Sequence, residues 1–190
     1  MSHRPGRLVL LGHPVRHSFS PLFQNAALRS VGLPLVYEAV DVEPADLPIL
    51  VRQLAHERAA GNVTVPHKEL VAALCARRSA LAERVGAVNT FWTAEDGALV
   101  GDNTDVGGFE ALARQTMGRL PASCRVALIG AGGAAAAVLA AVERWRGCDV
   151  TLYNRTHDRA TRLAARFPVV SRIVEHADDA AHDARLVINA

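Results

Sequence analysis

The stretch Arg125-Val-Ala-Leu-Ile-Gly130-Ala-Gly132-Gly133-Ala-Ala135 decides the fold of the second half of this 190-residue chain. Arg125–Ile129 reads as a short buried strand, Gly130–Gly133 as a tight turn, and the alanine-rich Ala134–Arg146 as a helix. Strand, glycine turn and helix in this order match the G-x-G-x-x-G/A dinucleotide fingerprint. Its first glycine makes the turn, the second lets backbone approach a pyrophosphate, and a small third residue lets helix pack on strand. Unpaired amides at the helix start then hold phosphate oxygens. Alone the motif is weak, because an Ala- and Gly-rich chain can carry such a turn for packing only.

Its surroundings strengthen it. Downstream, Asp149–Tyr153 reads as a strand, His157–Phe167 as a helix, Val169–Val174 as a strand and Arg185–Ala190 as a fourth strand. This βαβ repetition implies a mostly parallel sheet covered by helices. The end of the second strand bears on the cofactor. An NAD site usually carries Asp or Glu there for the ribose 2′-hydroxyl. Here Tyr153 runs into Asn154-Arg155-Thr156, with Arg159 four residues after Arg155 and no carboxylate at that position. Two guanidinium groups and a hydroxyl suit a 2′-phosphate, so NADP(H) is favoured over NAD. The plainer reading is two solvated arginines at a helix start.

Upstream, strand and helix signals alternate as well. Leu8–Leu11 is a short strand and Gly12–Ser20 a loop. Ser20-Pro21 opens a helix to about Arg29, with Ser20 as cap and Pro21 at the first helical position. Leu35–Val42 reads as strand, Pro44–Arg58 as helix, Gly61–Val65 as strand and Lys68–Ala76 as helix. Ala87–Thr93 and Ala98–Gly101 flank Glu95-Asp96-Gly97, a hairpin signal, and Val106–Met117 is helical. The domain boundary falls near residues 103–107, dividing the chain into 1–104 and 105–190.

Composition narrows the function. The chain has 21 Lys+Arg against 19 Asp+Glu, a net charge of +2, which argues against a nucleic-acid-binding protein. Half the residues are hydrophobic, enough for a core. The longest apolar runs, near Leu8–Leu11 and Ala134–Val142, are far short of the roughly 20 residues of a membrane span. The run after the basic start ends at Gly12, so it reads as a first core strand rather than a signal peptide. Cys75, Cys124 and Cys148 are widely spaced and odd in number, without CxxC. They read as reduced, mostly buried thiols of a cytoplasmic protein, with neither disulfide nor metal role. Twenty of the basic residues are Arg and one, Lys68, is Lys. Arg keeps its proton in proteins and a Lys amine can be tuned to release it, so Lys68 and the N-terminus are the only amines available for proton transfer.

Four polar segments sit where strands end: His17–Pro21, Asn62–Lys68, Gly86–Thr90 and Gly101–Asp105. Ligands of open α/β sheets bind beyond the carboxyl ends of strands. Hydroxyls, amides, an ammonium and a carboxylate converging there suit a small polyhydroxylated acid. Each segment alone has a structural reading: a helix cap at Ser20, a strand end at Thr64, turn-backbone bonds at Asn89 or Asn103.

Together the segments resemble the shikimate dehydrogenase family. Its signatures are present as G-H-P-V-R-H-S-F-S-P at 12–21, N-V-T-V-P-H-K at 62–68, G-A-V-N-T at 86–90 and D-N-T-D-V-G-G-F at 102–109. G-A-G-G-A at 130–134, N-R-T at 154–156 and V-I-N-A at 187–190 follow in order. The resemblance implies an N-terminal α/β substrate domain, then an NADP-binding Rossmann domain with a doubly wound parallel sheet, cut short at its fourth strand. It implies reversible reduction of 3-dehydroshikimate to shikimate with NADPH, a step towards chorismate and the aromatic amino acids, in the cytoplasm and with a homodimer allowed. By motif position Ser18 and Ser20 would bind the substrate carboxylate, and Thr64, Lys68, Asn89 and Asp105 would surround the ring hydroxyls. Lys68 and Asp105 would form the catalytic pair, which of them transfers the proton being open. Gly130, Ala131, Gly132, Gly133, Ala134, Asn154, Arg155, Thr156 and Arg159 would hold the cofactor. No metal is implied. His13, His17 and His67 read as site-lining or orienting. A quinate-using relative and a non-catalytic binder of shikimate-like acids are the alternatives. Family members continue beyond V-I-N-A, so the chain reads as an incomplete enzyme.

Overall fold

The computed structural model describes residues 4–190 as two compact units, which divide between Asn103 and Thr104. In the first, the strands are β1 (Leu8–Gly12), β2 (Tyr37–Asp41), β3 (Ala60–Val63), β4 (Arg77–Arg78), β5 (Thr90–Thr93) and β6 (Leu99–Asp102). The helices are α1 (Ser20–Ser30), α2 (Leu47–His56), α3 (Lys68–Leu74) and α4 (Ala80–Val85). The strands form one sheet in the order β2-β1-β3-β5-β6-β4.

β1 lies parallel to β2 and β3 at the centre of that sheet. Its continuous apolar run fits a strand covered on both faces. Alternate side chains point opposite ways, so Val9 and Leu11 join one core while Leu10 joins Val15 and Tyr37 on the other face. Leu47, Val51 and Leu54, spaced by four and three, turn one face of α2 into the first core. Burying each such side chain contributes about 1.5–3 kcal/mol.

The sheet is mixed. The hairpin turn at 94–98 closes with the Ala94 N–H donating to the Ala98 carbonyl at 2.9 Å, and Gly97 takes φ +80. That reversal makes β5 antiparallel to both β3 and β6. β4 and α4 had no counterpart in the sequence reading, being short segments without a full period.

The second unit contains α5 (Asp105–Met117), β7 (Arg125–Ile129), α6 (Gly133–Val142), β8 (Asp149–Tyr153), α7 (His157–Ala164), β9 (Val170–Val174), α8 (Ala177–Ala181) and β10 (Leu186–Asn189). Its sheet is parallel throughout, in the order β10-β7-β8-β9. Counted within the unit this is fourth-first-second-third, one half of a doubly wound sheet, with the strand order reversing between β7 and β10. Every residue of α6 from Ala135 to Val142 is buried, because alanine lets a helix lie close to its neighbours on all sides. α5 packs on α6, and the rings of Phe109 and Trp145 stack 5.6 Å apart.

Two local expectations change. Ser20 does not cap α1: it is the first helical residue, Phe19 stands at the cap, and the Ser18 hydroxyl accepts the Ser20 N–H at 3.2 Å. α6 ends at Val142 rather than Arg146, as the chain turns towards Gly147 at φ +66. Among the described residues no helix is long and apolar enough to cross a membrane.

Candidate functional site

Strand direction brings the polar segments of the first unit to one end of its sheet. β1 and β3 run parallel and deliver 13–20 and 64–68 beyond their carboxyl ends. β5 runs the other way, with Thr90 opposite Asn62, so the 86–90 segment enters at that same end. β6 returns antiparallel, with Asp102 opposite Thr90, and exits there too. Ser18, Ser20, Thr64, Lys68 and Asn89 therefore share one sheet edge.

Backbone bonds fix these segments. The Thr64 N–H donates to the Leu11 carbonyl at 2.8 Å, and the His13 N–H to the Val65 carbonyl at 3.0 Å. The Val63 N–H donates to the Asn89 carbonyl at 2.9 Å, and the Asn89 N–H to the Asp102 carbonyl at 3.1 Å. Lys68 opens α3, and its carbonyl accepts the Val88 N–H at 2.9 Å. A cation at a helix N-terminus gains nothing from the helix dipole. The hydroxyls of Ser20 and Thr64 have no hydrogen-bond partner among the described residues, and both side chains are half-buried.

A second layer of polar groups holds the edge rigid. The Tyr37 hydroxyl donates to Asn62 Oδ1 at 2.8 Å, and Asn62 Nδ2 donates to Thr90 Oγ1 at 2.9 Å. Burial pushes the Tyr37 phenol up to about 12. His67 is 1% exposed, with Nε2 against the Val42 carbonyl at 2.7 Å and Nδ1 buried without a partner. Its ring is a buried anchor beside Lys68. Buried Asn103 donates through Nδ2 to the Ala87 carbonyl at 2.9 Å. The Ser79 hydroxyl bonds the Asp102 carboxylate, which also accepts the Asn103 N–H at 2.7 Å. His13 Nδ1 lies 2.7 Å from Asp41 Oδ1, and this bond first, then the Val15 N–H, holds the Asp41 carboxyl below the usual range. A separate depression lined by Glu69, Ala72, Arg78, Glu83 and Gly86 contains none of Ser18, Ser20, Thr64, Lys68 and Asn89.

In the second unit, Asp105 is the first residue of α5 and half-buried. A carboxylate there also favours the helix dipole. The glycine turn follows β7 directly. Gly130 has φ +119 and donates its N–H to the Tyr153 carbonyl at 2.8 Å. A Cβ on Gly130 would lie 1.9 Å from the Ala190 carbonyl oxygen, whereas one on Gly132 would meet no atom within 4 Å. The first glycine is thus required by the turn, and the second keeps a path open to the backbone. α6 begins at Gly133 and Ala135 is fully buried, the close helix–strand contact that the third small residue permits. Amides of the first helical turn lack partners within the helix and suit phosphate oxygens.

β8 ends beside this turn. Asn154 Nδ2 donates to the Thr156 carbonyl at 2.8 Å, shaping the loop. Arg155, Thr156 and Arg159 are exposed, and neither guanidinium has an ion-pair partner among the described residues. Two uncommitted guanidinium groups beside an open glycine turn fit a dinucleotide carrying an extra phosphate.

Sequence reasoning named the groups at the strand ends. It missed Tyr37 and Asp41, which support the edge from β2, because β2 carries no motif. It also missed the approach of Cys124 to Cys148, residues with no spacing signal.

Family models match two stretches of the chain. Residues 10–91 match the family model described as the shikimate dehydrogenase substrate binding domain, and residues 111–190 match that for shikimate / quinate 5-dehydrogenase. A shikimate dehydrogenase (NADP(+)) of Brucella abortus is 39% identical over 98% of this chain, and that of Moorella thermoacetica 45% over 88%. The chain spans 65% and 59% of those two proteins' lengths. The crystal structure of Aquifex aeolicus shikimate dehydrogenase superposes with a TM-score of 0.87 at 33% identity, over 100% of this chain and 70% of that one. The Thermus thermophilus enzyme, solved with NADP(H) and shikimate, gives 0.82 at 40% identity, over 97% and 67%. With both units matched and the strand-end motifs in place, the chain belongs to the shikimate dehydrogenase family.

Proposed function

We propose that this chain acts as an NADP-dependent shikimate dehydrogenase, reversibly reducing 3-dehydroshikimate to shikimate on the route to chorismate and the aromatic amino acids. The observation that carries this reading is the single sheet edge shared by Ser18, Ser20, Thr64, Lys68 and Asn89. Its hydroxyls, amide and ammonium match a small polyhydroxylated acid. The domains in this reading are 1–104 for substrate and 105–190 for cofactor.

Ser18 and Ser20 hold the substrate carboxylate. Thr64, Asn89, Lys68 and Asp105 orient the ring hydroxyls and the carbonyl. Bound NADPH supplies the hydride. As hydride reaches the carbonyl carbon, negative charge develops on its oxygen, and the Lys68 ammonium stabilises that charge and gives it a proton. Asp105 is the other member of the catalytic pair, and in the reverse direction Lys68, as its neutral amine, takes the proton back from the hydroxyl. Gly130–Ala134 hold the pyrophosphate, while Asn154, Arg155, Thr156 and Arg159 receive the 2′-phosphate. A cytoplasmic location and a homodimer belong to the same reading; the open β2 edge of the first sheet leaves room for a partner strand.

Following NADP+ reduction with shikimate, then quinate, tests the reading. Lys68→Ala is expected to lose about 10²–10⁴-fold in kcat, the usual worth of a general acid. No turnover with either acid refutes the enzyme reading, and equal rates in wild type and Lys68→Ala refute the role of Lys68. Arg155→Asp should weaken NADP+ far more than NAD+, and equal loss refutes the 2′-phosphate contact.

A further inference from the structure

Cys124 and Cys148, separated by the glycine turn and α6, have their sulfurs 3.6 Å apart. The parallel register causes this. Arg125 pairs with Asp149, and the Asp149 N–H donates to the Cys124 carbonyl at 3.3 Å, so the residues one step earlier on each strand are neighbours. Adjacent strands lie about 4.8 Å apart, inside the roughly 4.4–6.8 Å that disulfides span between Cα atoms. The Ser123 N–H donating to the Arg146 carbonyl at 2.8 Å clamps the two entering segments together. Both cysteines are half-buried, flanked by exposed Ser123, Arg146 and Gly147, so a small solute reaches them.

We propose that Cys124 and Cys148 form a reversible thiol–disulfide site, oxidised by a low-molecular-weight disulfide of the glutathione class. The site is independent of the dehydrogenase reading. Burial first, then the neighbouring Cys148 sulfur, pushes the Cys124 thiol up to about 11. Either sulfur can open the exchange and the product is the same. With Cys148 first, its thiolate attacks one sulfur of the oxidant, breaking its S–S bond, forming a mixed disulfide and releasing one thiolate. The Cys124 sulfur then attacks the Cys148 sulfur and releases the second thiolate. Two protein thiols are oxidised, one small disulfide is reduced to two thiols, and the two protein protons pass to the released thiolates. The new bond closes residues 124–148, glycine turn and α6 included, into one covalent loop. Cys75 is an internal control, being 5% exposed with its thiol pushed up to about 11 by burial and no cysteine sulfur paired with it among the described residues.

The native 190-residue chain is incubated with glutathione disulfide, alkylated, digested with trypsin and mapped by mass spectrometry. The expected product is a monomer lighter by two hydrogens, with peptides Leu120–Arg125 and Gly147–Arg155 linked, Cys75 alkylated, and the link removed by reduced glutathione. In Cys148→Ser the expected outcome is no internal link. Wild type in which Cys124 and Cys148 stay free, end as separate glutathione adducts, or link only between molecules overturns the proposal.

Discussion

Gly130→Ala probes the glycine turn where its geometry is least forgiving. With φ +119, Gly130 occupies a region essentially closed to residues bearing a Cβ. Strain of that kind costs about 1–3 kcal/mol. The new methyl would lie 1.9 Å from the Ala190 carbonyl oxygen, so the ends of β7 and β10 must part. Parting them weakens the Ala190 N–H bond to the Ile129 carbonyl, 2.8 Å long, at a further cost of about 0.5–1.5 kcal/mol. The sum, about 1.5–4.5 kcal/mol, is a large part of the roughly 0.05–0.15 kcal/mol per residue that holds a domain folded. Gly132→Ala is the matched control, since its Cβ meets open space at an extended cap position, and its cost should stay below about 1 kcal/mol. Urea unfolding followed by Trp145 fluorescence, with Trp92 replaced, reads the second unit directly. A cost for Gly130→Ala no larger than that for Gly132→Ala refutes the argument. The order reverses for NADP+ binding per folded molecule, where Gly132→Ala blocks the backbone approach.

Three further outcomes follow from the same geometry. The Tyr37 phenol has its folded pKa raised from 10.0 to about 12, so the folded state holds its proton more tightly. The resulting stability is complete below pH 10 and is lost as pH rises through about 12; Tyr37→Phe should flatten that limb in unfolding melts, and an unchanged slope refutes it. Trp145 is 4% exposed and its Nε1–H is buried without a partner, an omission costing about 1–3 kcal/mol. Trp145→Phe should therefore change stability by less than about 1 kcal/mol, against about 3–5 kcal/mol for Trp145→Ala, and equal losses in chemical unfolding contradict this. The Ser79 hydroxyl accepts the Ala82 N–H at 3.0 Å as the cap of α4. Ser79→Ala should cost about 0.5–2 kcal/mol, with none seen if the cap is idle.

The sequence by itself determined the strands of the second unit and its longer helices in outline, while the short α8 (Ala177–Ala181) left no signal. β7 and β8 have the bounds read from the apolar runs, since a buried parallel strand is a continuous apolar stretch between turn residues. The glycine turn was legible because its backbone demand is local: φ +119 at Gly130, with the Ala190 carbonyl where a Cβ would lie, can be met only by glycine. The polar segments of the first unit were legible as residue types at strand ends. Their meeting at one edge was not, because it depends on β5 reversing after β3, and long-range pairing leaves no periodic trace. The Tyr37–Asn62–Thr90 chain and the His67–Val42 bond join residues far apart along the chain, where only packing decides which donor finds which acceptor. Cys124 and Cys148 make the point most simply. Sequence spacing argued against any pairing, and one parallel register put their sulfurs side by side.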